Sequence, residues 1–147
     1  MARSRSESGG GRWGQHSTRI SPTALGGPTR LRGQLVLADE HQVSDARWWA
    51  DPMHKNIKLI VQCTHRAQTF HYPACVFNEM KCKHVYVDPR NDKIRQLELD
   101  KAMPLIEETL ARGEDVLLHC KQSFHRCPVV TAAVVQRLCG TPGQVYL

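Results

Sequence analysis

In the stretch VLLHCKQSFHRCPVV, Val116 to Val130, Cys120 and Arg126 stand six positions apart, and both residue types can act on a tetrahedral anion. A thiol held as its thiolate is a strong nucleophile. A guanidinium is a planar fork that can grip two oxygens of one phosphate. A loop of this length can curl round a single anion and aim sulfur and guanidinium at the same group. His119 and Arg126 are expected to add hydrogen-bond donors and positive charge there.

Such a loop works only if rigid elements hold both of its ends. Val116–Leu118 is short and aliphatic, as in a buried strand. Pro128–Leu138 reads as a helix opened by proline, where a missing N–H costs nothing, and stopped at Gly140. Its apolar residues go nearly all round, which places it in the core. Cys120 then sits at the carboxyl end of a buried strand, and Arg126-Cys127-Pro128 opens a buried helix. Loops in that position bind ligands in α/β proteins. The helix start adds unpaired N–H groups and a positive dipole end, which favour an anion and lower a thiol's pKa.

The rest of the chain supplies the frame. Leu35-Val36-Leu37, Ile57–Val61 and His84–Val87 read as further strands, Ile57–Val61 continuous and β-branched as when both faces are covered. His41–His54, with Trp48 and Trp49 as packing residues, reads as a helix stopped or bent near Pro52. His65–Lys81 reads as irregular. Ile94–Arg112 has apolar residues at near-helical period, with Pro104 implying a kink or a helix that begins near Asp100. Strands alternating with helices predict an α/β fold, with a largely parallel central sheet flanked by helices.

The 147 residues suffice for one domain. The net charge of +6 is unevenly divided. Residues 1–33 hold six arginines and one acid, net +5, while the remaining 114 residues are near neutral at +1. The folded part therefore gives little support to nucleic-acid binding. Residues 1–33 also hold seven of the ten glycines and five serines, and predict a disordered tail before a folded domain over 34–147. The same Arg- and Ser-rich, acid-poor composition is that of an organelle transit peptide. No apolar run is long enough to span a membrane, and the start lacks a secretory core, so a cytoplasmic or nuclear location is expected, with the six cysteines reduced. Cys63, His65, His71, Cys75, Cys82 and His84 are a weak zinc candidate, because the Cys-x-His pairs lack the usual spacer. No metal is expected.

His119-Cys120, five residues and Arg126 match the HC-x5-R signature of the cysteine-dependent protein tyrosine phosphatase superfamily. With the aliphatic strand before and Arg-x-Pro opening a helix after, the chain resembles the dual-specificity protein phosphatases from about Gln34 to Gly140. The resemblance implies that fold, no cofactor, and a phosphorylated protein as substrate. It implies that Cys120 attacks phosphorus to form a cysteinyl-phosphate, while Lys121, Gln122, Ser123, Phe124, His125 and Arg126 hold the phosphate. Asp88, 32 residues before Cys120 and closing a strand, takes the general acid's place; Asp92 is the fallback. His119 is expected to orient the loop and help keep Cys120 ionised. Lys121 and His125 would also suit highly charged substrates such as phosphoinositides or RNA 5′-phosphates, and leave the substrate open.

The chain departs from the family at three points. Ser123 replaces the usual loop glycine, which costs roughly 1–2 kcal/mol if the position needs positive φ. Cys127 replaces the Ser or Thr that donates to the nucleophile's sulfur, which implies slower release of Cys120 and a thiol placed to form a reversible disulfide with it. The family's fold normally continues with more helices, so the resemblance implies a C-terminally shortened form. The first two departures motivate an alternative, a weak or inactive pseudophosphatase that binds phosphorylated partners.

Overall fold

Every aliphatic run predicted as a strand enters one sheet. A computed structural model describes residues 17–65, 70–120 and 127–140. Among them, β1 (Thr18–Ile20), β2 (Leu35–Leu37), β3 (Ile57–Gln62), β4 (Lys83–Tyr86) and β5 (Asp115–His119) form a five-stranded sheet in the order β1-β2-β5-β3-β4. β1 runs antiparallel to β2; all other neighbours are parallel. This is the expected largely parallel α/β sheet, with β5 in the middle. In the middle of the sheet β5 has all five residues buried: Val116–Leu118 are aliphatic, and Asp115 and His119 at its ends are hydrogen-bonded.

Two apolar layers cover the sheet. Leu35, Leu59, Val61, Val116 and Leu118 pack with Leu99, Met103, Ile106 and Leu110 of α4 (Asp92–Ala111) and Val130, Val134 and Leu138 of α5 (Cys127–Cys139). On the other side, Val36, Ile57, Ile60 and Leu117 pack with Val43 of α1 (Glu40–Val43), Trp48 and Trp49 of α2 (Ala46–Ala50) and Val76 of α3 (Cys75–Asn78).

Three expectations need correction. The single helix over His41–His54 is broken into α1, α2 and a 3-10 turn at Pro52–His54. Aspartates cause the breaks: Asp39, Asp45 and Asp51 each accept a backbone N–H at the start of one piece, and such caps interrupt a longer helix. α4 is continuous across Pro104, which faces solvent, where water can take the carbonyl left without a partner. Its start is fixed by Asn91, whose side chain accepts the N–H groups of Lys93 and Ile94 at 2.9 and 3.1 Å.

The third correction is the tail boundary at residue 33. Residues 17–33 belong to the folded unit: β1 pairs residue for residue with β2, and Leu31 is buried. Gly33 is packed so closely that a β-carbon there would stand 1.8 Å from the Glu114 carbonyl oxygen. Composition hid this segment because a three-residue edge strand needs only one buried side chain, Ile20.

Candidate active site

Parallel strands of an α/β sheet end together, and side chains just beyond those ends line the crevice where ligands bind. Cys120 immediately follows β5 and is fully buried. α5 begins at Cys127, so its amino terminus closes the same edge seven residues later. Lys121, Gln122, Ser123, Phe124, His125 and Arg126, together with the Cys127 side chain, lie outside the described residues.

The register supplies a neighbour that spacing alone concealed. β3 lies against β5 with Val61 beside Leu118 and Gln62 beside His119. The Cys63 N–H donates to the His119 carbonyl at 2.7 Å, carrying the ladder one step further. Cys63 is therefore next to Cys120, at about the 4.8 Å spacing of adjacent strands. Paired residues of parallel strands face the same way, and both cysteines lie in the layer covered by α4 and α5. Cys75 and Cys82 pack on the opposite side of the sheet, so the sheet divides the cysteines once weighed as zinc ligands. Among the described residues no three His, Cys, Asp or Glu side chains converge as metal ligands.

Asp88 follows β4 at the same edge, separated from β5 only by β3. It is buried, and Arg90 encloses its carboxylate. Oδ1 accepts the Arg90 backbone N–H at 3.0 Å and Nε at 3.1 Å, while Oδ2 accepts Nη2 at 2.9 Å. These bonds hold the carboxyl below its ordinary value, outweighing the opposing effect of burial. In this arrangement Asp88 is ionised, so donating a proton requires Arg90 to loosen its grip. Arg90 was missed in the sequence, although its place two residues beyond Asp88, across Pro89, is a turn signal. Asp92, the fallback, opens α4 with an exposed side chain paired to Arg95.

His119 needs a correction. It adds no positive charge, because complete burial pushes its pKa down to about 3 and the adjacent Cys120 backbone does not offset that. Its ring lies on the sheet face opposite Cys63 and Cys120, 4.9 Å from the Phe70 ring, with Nε2 2.5 Å from the Tyr72 hydroxyl. Tyr72 also meets Gln62 Oε1 at 2.9 Å, and His84 Nε2 meets that same oxygen at 2.9 Å. Tyr72 and Gln62 were not singled out in the sequence, and His84 only as a zinc candidate, because these partners reach His119 only through the fold.

No family model matches the sequence, and no curated protein matches it. Solved structures do match. The structure of Tk-PTP in its active form superposes with a TM-score of 0.53 at 17% identity, over 80% of this chain and 77% of that one. A Leishmania major protein assigned as a protein tyrosine phosphatase superposes with a TM-score of 0.59 at 15% identity, over 90% and 85%. The chain has the protein tyrosine phosphatase fold. Within this fold, Cys120 directly follows the central strand and α5 opens seven residues later. Among the described residues no helix is long and apolar enough to cross a membrane.

Proposed function

We propose that the protein is a cysteine-dependent phosphatase that hydrolyses phosphate monoesters on proteins, phosphotyrosine and phosphoserine/threonine alike. The observation that carries this reading is the place of Cys120: at the carboxyl end of the central strand of a protein tyrosine phosphatase fold, ahead of the start of a 13-residue helix. The thiolate attacks phosphorus and the ester oxygen departs with a proton from Asp88. Water, deprotonated by Asp88, then cleaves the cysteinyl-phosphate. Arg126 and the loop amides hold the equatorial oxygens through the charge changes. Dual specificity rests on the resemblance over Gln34–Gly140, and comparing phosphotyrosine with phosphothreonine peptides tests it.

Hydrolysis of an aryl phosphate by wild type and Cys120→Ser is the first experiment. Turnover in wild type and none in the variant is expected. Equal rates end the proposal, and phosphopeptide binding without turnover in wild type replaces the enzyme with a binding module. Asp88→Ala is expected to slow turnover while leaving vanadate affinity unchanged.

A further inference from the structure

A threonine inside a helix ordinarily turns its hydroxyl back to the carbonyl one turn earlier. Thr109 does so in α4, donating to the Leu105 carbonyl at 2.7 Å. Thr131 in α5 does not. It is 1% exposed, yet its Oγ1 meets no partner among the described residues. Thr131 is also a wall residue of a cavity of about 340 Å³. Pro128 joins it from α5, Leu37 from β2, and Ile20, Ala24 and Leu25 from the segment that composition assigned to a tail.

The lining selects the occupant. Arg19 is its one charged residue, and that guanidinium is committed to Gln34, Asp115 and the Met53 carbonyl. An ion would therefore be desolvated without a counter-charge. The Ser21 hydroxyl accepts the Ala24 N–H at 3.2 Å and lies 3.0 Å from Thr23 Oγ1, and Thr18 is exposed. A trapped water needs roughly two to four polar partners, and Thr131 supplies one unsatisfied hydroxyl. A hydrocarbon body carrying one hydroxyl suits both the apolar wall and that group. The volume is in the range of small-molecule sites.

We propose that this cavity is a binding site for a small neutral molecule, mostly hydrocarbon, whose single hydroxyl pairs with Thr131 Oγ1. Burial of its apolar body supplies the affinity. The hydroxyl pair supplies the preference, because a hydrocarbon isostere leaves Thr131 unpaired.

Phenethyl alcohol and propylbenzene, which differ by a hydroxyl in place of a methyl group, are the probes. Methyl spectra of the full chain, titrated with each, should show saturable shifts at Ile20, Leu25 and Leu37. Phenethyl alcohol should saturate at or below the millimolar range. Thr131→Val keeps the side chain's shape and removes the unpaired group, so its thermal midpoint should not fall. In that variant phenethyl alcohol should bind about tenfold more weakly, and propylbenzene no more weakly than before. Absence of saturable shifts at those methyl groups overturns the proposal. So does a Thr131→Val variant that binds the alcohol as wild type does, or that weakens both probes equally. These titrations decide the site whether or not the chain hydrolyses phosphate esters.

Discussion

Arg90 sets the working pH of the proposed general acid. A carboxyl donates only while protonated, and Arg90 holds Asp88 below its ordinary value. Hydrolysis should therefore decline as pH rises through that low value. In Arg90→Gln the carboxyl recovers a higher pKa, so the descending limb of kcat/KM is expected to move to higher pH, a shift readable in a rate profile. An unmoved limb would mean that Arg90 does not govern Asp88 during turnover. The same pair contributes to folding with the opposite dependence. Asp88's depressed pKa stabilises the fold above the unfolded carboxyl value, and that stability is lost as pH falls through the folded value. The contribution is small, because the Arg90 side chain is 54% exposed. Cys120 and His119 stood out in the sequence because their spacing to Arg126 is local and chemical, and Asp88 stood out only through the family resemblance, 32 residues before Cys120. Arg90 and Tyr72 did not, since exposed arginines are common and Tyr72 lies 47 positions from the histidine it touches.

The strand register decides which cysteine can trap Cys120, the proposed nucleophile. A thiolate, as proposed for Cys120, is oxidised by peroxide to a sulfenic acid, and attack by a second thiol then releases water and closes a disulfide. Cys63, one strand over and on the same face, falls within the reach such a bond needs. Intact mass after mild peroxide is expected to show a two-hydrogen loss that persists in Cys127→Ser and disappears in Cys63→Ser. The reverse pattern would return the resolving role to Cys127. Spacing hid Cys63 in an apparent zinc cluster, because only pairing of β3 with β5 brings it to Cys120. The aliphatic cores of β2, β3 and β5 were legible for the same reason that this pairing is firm: each is apolar on both faces, as a central parallel strand must be. α1 and α2 were misjoined because capping by Asp39 and Asp45 is local geometry that apolar periodicity does not record.

Across the whole molecule, the segment from Ser17 to Gly33 ties the sheet's edge to its opposite end. Arg19 donates to Asp115 at 3.2 Å and to Gln34 at 2.7 Å, Arg30 approaches Glu107 at 3.5 Å, and Arg32 reaches the Ala111 carbonyl at 2.9 Å. Three of the arginines that made the tail look like a basic appendage thus serve the fold. A chain starting at Gln34 loses β1, Leu31 and Arg19, the charged partner of buried Asp115. Denaturant unfolding should find it roughly 3 kcal/mol or more less stable than a chain starting at Ser17. Equal stability would separate the segment from the folding unit. Gly33→Ala is expected to cost roughly 1–3 kcal/mol, since its methyl group has nowhere to go beside Glu114, and thermal unfolding reads that loss.

The claim on which the functional account stands is that phosphorus becomes bonded to one sulfur. Acid-quenched mass spectrometry of the protein during turnover of an aryl phosphate addresses it directly. One phosphoryl group on the peptide containing Cys120, absent in Cys120→Ser, is the expected result. Steady hydrolysis with an unmodified Cys120 peptide would contradict the account.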